Sequence, residues 1–174
     1  MILRWLLITG ALALAACSAP PSDSRYVPQS LPDQTSFPDV AELLVLRCGS
    51  LDCHGKAARN LRLYGSAGLR LSPTDRPVGP CRDTAAEDAQ DYESVVGLEP
   101  EVMSAVVSGG GAHPEELTLV RKARGSEAHK GGQIWSQGDD SDRCVTSWLA
   151  GKADAVACQA GVQAGLLRGT PSCP

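Results

Sequence analysis

The sequence predicts a small, mainly α-helical domain with long loops and at most a short hairpin. Three observations point there. Apolar residues recur at helical spacing in segment after segment. These segments open on proline or a capping residue and several close at glycine. Only two short runs alternate in the manner of strands. In order along the chain, residues 36 to 48 read as the first helix. Pro38 suits its first turn, Asp39 complements the N-terminal partial charge, and Val40, Leu43, Leu44 and Arg47 fall on adjoining turns. Leu61-Arg62-Leu63 and Leu69-Arg70-Leu71 alternate around Gly65 and Gly68, as extended pieces of a small hairpin would. Residues 73 to 80 read as loop. Thr84-Ala85-Ala86-Glu87 is a capping-box pattern that starts a helix running to Val96. Pro100 to Val107 forms the next, stopped by Gly109-Gly110-Gly111, and Pro114 begins another with Leu117 and Val120 on one side. Asp139 to Leu149 reads as the last helix, with Val145, Trp148 and Leu149 inward and Gly151 at its end.

Ahead of this domain lies a leader. Arg4 supplies a positive start, and Trp5 to Leu14 is an apolar run of about ten residues. That is the length of a signal core, whereas a spanning helix takes roughly 20 residues. Leu14-Ala15-Ala16-Cys17 resembles the bacterial lipobox, whose cysteine becomes the acylated first residue. The resemblance implies a signal peptide at 1–16, lipid on Cys17 and attachment to a membrane. The plainer alternative is an ordinary signal peptide and a chance cysteine. Ser18 stands where an aspartate holds Gram-negative lipoproteins at the inner membrane, which favours the outer membrane, facing the periplasm. Residues 17–35 carry Pro20, Pro21, Pro28 and Pro32 with little apolar periodicity, and read as a tether.

The remaining chain divides into a helical domain at 36–152 and a C-terminal tail at 153–174. The formal net charge of -4 leaves no basic stripe to neutralise phosphates and so argues against nucleic acid. Lys56, Arg59 and Arg62 form the densest basic cluster near a motif, read as a solvated face before a docking patch. One Phe, three Tyr and three Trp make a core poor in large side chains. Disulfides or a buried cofactor are the usual remedies.

Of seven cysteines, Cys17 is assigned to lipid and six remain. Cys48 and Cys53 either act with His54 on a cofactor, leaving Cys81, Cys144, Cys158 and Cys173 for two disulfides, or all six pair. Parity does not choose. Residues 152 to 174 lack a strong apolar face, so a staple between Cys158 and Cys173 is expected, with Cys81 then pairing to Cys144.

The chemistry concentrates in Cys48-Gly49-Ser50-Leu51-Asp52-Cys53-His54-Gly55. Two cysteines followed directly by histidine is the arrangement by which c-type cytochromes bond haem vinyl groups and ligate iron. The usual gap between the cysteines is two residues and here it is four, a spacing found in some multihaem cytochromes. A local Cys48–Cys53 disulfide and a metal site are the competing readings. Zinc would need further ligands, for which only His113 and His129 are on offer.

Around the motif, Phe37-Pro38-Asp39-Val40-Ala41-Glu42-Leu43-Leu44 leads in and Leu61-Arg62-Leu63 follows. Later come Leu119-Val120-Arg121-Lys122-Ala123-Arg124-Gly125, His129-Lys130-Gly131-Gly132 and Trp148-Leu149-Ala150-Gly151. Over roughly residues 37 to 151 this order resembles the planctomycete-type cytochrome c domain family. Residues 72 to 98, with Cys81, have no counterpart in that pattern. The resemblance implies a cytochrome c-like domain holding one covalent haem c, an electron carrier rather than an enzyme, with a redox protein as partner. It carries Cys48, Cys53 and His54 over as haem-binding residues and His129 as the second axial ligand. Met103, mid-helix beside Val102 and Val106, reads first as core, and His113 as a neighbour of a helix cap. Both stay open as alternatives to His129. The other functional reading is a disulfide-stapled surface lipoprotein without haem, with a structural or interaction role.

Overall fold

The computed structural model describes residues 28–75 and 83–166. Among them are six α-helices and one 3-10 turn, and no strand, so the mainly α expectation holds. The helices are α1 (Phe37–Cys48), α2 (Ala85–Val96), α3 (Pro100–Ser108), α4 (Thr118–Ala123), α5 (Asp140–Leu149) and α6 (Ala155–Leu166). No helix among the described residues is long and apolar enough to cross a membrane.

α1 is the axis of the core. Val40, Ala41, Leu43, Leu44 and Val45 are all essentially inaccessible, so it is enclosed on more than one face. α2, α5 and α6 pack around it. The scarce aromatics are pooled where α1, α2 and α5 meet. Phe37 lies 5.4 Å from Tyr92 and 5.0 Å from Trp148, centroid to centroid. Clustering concentrates the large apolar area that the composition supplies sparingly. The polar ends of two of these rings hold the incoming chain. Tyr92 Oη donates to the Pro32 carbonyl (2.9 Å) and Trp148 Nε1 to that of Asp33 (2.8 Å). The end of the segment read as tether is thus docked on the body before Ser36.

The expected helix starts hold in most places. Thr84 Oγ1 accepts from Glu87 N and the Glu87 carboxylate accepts from Thr84 N, a complete capping box. Asp139 caps α5 by accepting from Asp142 N. Gly110 and Gly111, at φ 68° and 79°, supply the left-handed turn that ends α3. The helix expected from Pro114 is instead broken in two. A 3-10 turn covers Pro114–Glu116, Leu117 is extended, and α4 starts afresh at Thr118. Glu99 makes that restart possible, its carboxylate accepting from both Thr118 N (2.7 Å) and Thr118 Oγ1 (2.8 Å). The Arg124 guanidinium then clamps the Asp142 carboxylate with two bonds, tying α4 to α5.

α5 is not the last helix. α6 follows it and buries Ala157, Cys158, Gly161, Val162 and Gly165 against α1 and α5. A Cβ on Gly161 would press on Leu43 and Ser141, so the face works by being small. That is why it shows little apolar signature in sequence. The expected disulfide pairing is corrected with it: Cys144 bonds Cys158, at a Cα separation of 4.6 Å. The two cysteines face each other in the α5–α6 interface, both at or below 1% exposure. The pairings Cys158–Cys173 and Cys81–Cys144 are therefore excluded, and Cys81 and Cys173 themselves lie outside the described residues, as does Cys17.

Candidate functional site

Cys48 is the final residue of α1 and is buried. The chain then folds into a compact turn. Cys53 N donates to Ser50 O (2.9 Å), Gly55 N to Ser50 O (3.0 Å) and His54 N back to Cys48 O (3.0 Å). The four residues between the cysteines form a loop that bulges outward, with Leu51 at 62% exposure, while Cys48 and His54 are brought together at its base. Gly49 sits at φ -83°, within reach of any residue, so its conformation does not require glycine. What requires glycine is packing. Cβ atoms on Gly55 and on Gly68 would both overlap the Gly49 carbonyl oxygen.

Cys48 and Cys53 are free thiols, so the local disulfide is not formed. Burial pushes the Cys48 thiol up to about 12. No three His, Cys, Asp or Glu side chains among the described residues converge to hold a metal ion. The zinc reading has no support here.

His54 is held on three sides. Besides the bond from its backbone N, its carbonyl accepts from Leu63 N (2.9 Å) and its ring Nδ1 lies 2.9 Å from Leu61 O. A carbonyl only accepts, so Nδ1 carries the proton and Nε2 keeps its lone pair in the neutral ring. Burial, and the positive charges of Arg59 and Lys122, favour that neutral ring by lowering its pKa.

His129 lies in the loop between α4 and α5, and the fold brings it to His54. The ring centroids are 6.0 Å apart with 27° between planes. Its Nδ1 also faces a carbonyl, that of Gly132, at 3.3 Å. Both rings line one cavity of about 430 Å³ together with Cys48. Leu61, Leu98, Leu119 and Ile134 form its apolar walls, and Arg59 and Lys122 are the cations among its lining residues. Asn60, Glu99 and Thr118 complete a lining of mixed polarity, and a volume of this size is ordinary for a small-molecule site.

The other two candidate ligands are elsewhere. Met103 is 1% exposed in the core and does not line the cavity. The His113 side chain is 74% exposed at φ 55° and pairs with Glu115 at 3.2 Å. The basic cluster also resolves. Arg59 donates to the carbonyls of Cys53 (2.9 Å) and Asp52 (3.2 Å), bracing the cysteine loop, and Arg62 lies over the Tyr64 ring at 5.1 Å. Lys56 is exposed. Lys122 and the Leu61 carbonyl were not singled out from sequence. A backbone carbonyl leaves no sequence signal, and nothing in the sequence sets Lys122 apart from its charged neighbours. The chain matches no protein-family profile, no curated protein and no solved structure.

Proposed function

We propose that this chain carries one covalent haem c between His54 and His129, bonded through Cys48 and Cys53, and works as a lipid-tethered electron carrier. The observation that carries the reading is the pair of histidines across one cavity, each with Nδ1 on a backbone carbonyl and Nε2 left for a metal. The two rings, 6.0 Å apart between centroids on one cavity, are the residues that would hold the iron of the group.

Other features support it. Two free cysteines adjoin the first histidine, Cys48 lining the cavity and Cys53 standing beside it in the chain, and Leu61, Leu98, Leu119 and Ile134 give the cavity an apolar side against which a flat macrocycle would pack. Arg59 and Lys122 among the lining residues suit its two carboxylates. When bound, haem supplies a one-electron redox centre. The protein's part is to orient both imidazoles, exclude water with the leucine walls, and lower the potential by offering two nitrogens in place of a thioether. The lipid on Cys17 and the outer-membrane location belong to the same proposal and rest on the Leu14-Ala15-Ala16-Cys17 sequence. The test is expression with a haem-attachment system followed by haem staining of cell fractions. A stained band in the membrane fraction, moved to the soluble fraction by Cys17→Ala, is the expected result. A colourless protein in the membrane fraction favours the stapled lipoprotein instead.

A further inference from the structure

We propose that Asp91 and Ser94 of α2 are positioning residues for the His54 imidazole, acting through the extended run Leu61–Tyr64. The positioning is a property of the polypeptide, and its consequence at the iron rests on the haem reading above. Residues 61 to 64 have two edges, as a strand does. On one edge, Leu61 O receives the His54 ring and Leu63 N donates to the His54 carbonyl, both at 2.9 Å. On the other edge, Arg62 N donates to Ser94 Oγ (2.9 Å) and Tyr64 N to Asp91 Oδ1 (2.7 Å). Beyond an isolated bridge between Tyr64 and Leu69, no strand pairs with this run among the described residues. Two side chains one helical turn apart stand where a strand would be, and they accept from alternate N–H groups. The run is thus suspended between α2 and His54, and whatever fixes its outer edge fixes the carbonyl that sets the ring.

The acceptors continue beyond Asp91. Asp83 Oδ1 takes Ser66 N (3.0 Å) and Glu87 takes Leu71 N (3.1 Å) while holding the Arg70 guanidinium. Asp91 is the informative member. It is fully buried, and its Oδ2 has no partner. A buried oxygen without a partner is costly, and alanine would avoid that cost while leaving Tyr64 N–H orphaned. Asp83, Asp88 and Glu87 are the charged groups bearing on it, all acidic, with Arg70 neutralising Glu87. Burial and these neighbours hold Asp91 in the neutral form up to about 8. Asparagine is therefore a close mimic of its working state.

The experiment compares the purified wild type with Asp91→Asn and Asp91→Ala, reading solvent exchange of the His54 Nδ1–H and of the Tyr64 amide by NMR. In a coloured preparation it uses the reduced, diamagnetic form. Wild type and Asp91→Asn are expected to match. Asp91→Ala should exchange roughly tenfold faster at both protons, the population change that losing one buried hydrogen bond brings. In a haem-loaded sample it should also bind carbon monoxide more readily at the iron. Ser94→Ala, a milder change, should move in the same direction and serves where Asp91→Ala does not fold. Unchanged His54 Nδ1–H exchange in folded Asp91→Ala or Ser94→Ala overturns the proposal. A colourless preparation still reports both exchange rates, so failure of the cofactor reading is seen separately.

Discussion

His54 and His129 each commit Nδ1 to a backbone carbonyl, and this orients a ring more firmly than packing alone. The two are not equivalent. His54 is clamped through backbone and ring, whereas His129 hangs from a turn in which Gly132 N donates back to His129 O. The account therefore assigns them different sensitivities. With haem bound, His54→Ala should lose the low-spin spectrum and destabilise the fold around the cysteine loop. His129→Ala should give a high-spin or water-ligated form that binds carbon monoxide, with the helical content unchanged. Identical spectra for His129→Ala and wild type would remove His129 from the site. At this scale the sequence was legible where chemistry is carried by side-chain type. Cys48, Cys53 and His54 could be named from it, whereas His129 was named only through the family resemblance, since nothing in spacing brings residue 129 to residue 54. The Leu61 carbonyl and the glycine packing at Gly49, Gly55 and Gly68 were not legible, because they depend on backbone proximity across the loop.

Among the elements, those with large apolar residues at helical spacing or with explicit caps were readable. The capping box at Thr84 and the cap at Asp139 place α2 and α5 within a residue of expectation. Two elements were not. The break at Leu117 comes from the distant Glu99 carboxylate, which offers Thr118 a cap that no local pattern encodes. α6 has a face of alanine, glycine, cysteine and valine, which hydrophobic periodicity reads weakly, and it docks because small residues let α1 come close. With α6 missed, its cysteine was assigned to the wrong partner. Non-reducing peptide mapping should join Cys144 to Cys158 and, by parity, leave Cys81 and Cys173 as the remaining pair. Closing the 14-residue separation stabilises the fold by about 3 kcal/mol through loop-closure entropy. Cys158→Ser should thus lower the melting temperature while leaving the cavity intact. A map joining Cys158 to Cys173 contradicts the α5–α6 interface.

For the molecule as a whole, the buried acids that accept from the backbone of residues 64 and 66 give stability an unusual pH dependence. Burial raises the Asp83 carboxyl to about 7 and the Asp91 carboxyl to about 8. In the unfolded chain both titrate near 3.9. Between about pH 4 and 8 the folded state therefore binds more protons than the unfolded, and stability from these groups is lost as pH rises through that window. Urea unfolding at pH 5 and pH 8 should show the protein weaker at pH 8. Asp91→Asn should narrow the difference, since its amide has no charge to bury, and an unchanged difference would count against a buried titrating Asp91. Composition made the mainly helical class and the need for a second source of stability legible. It could not show that the source is a pooled aromatic cluster and a disulfide between two packed helices. The most direct test of the central claim is the intact mass of the denatured protein, purified after expression with a haem-attachment system. The account predicts one haem added to the polypeptide, still attached after unfolding and lost in Cys53→Ser. A mass without haem, with Cys48 and Cys53 joined to each other, would contradict it.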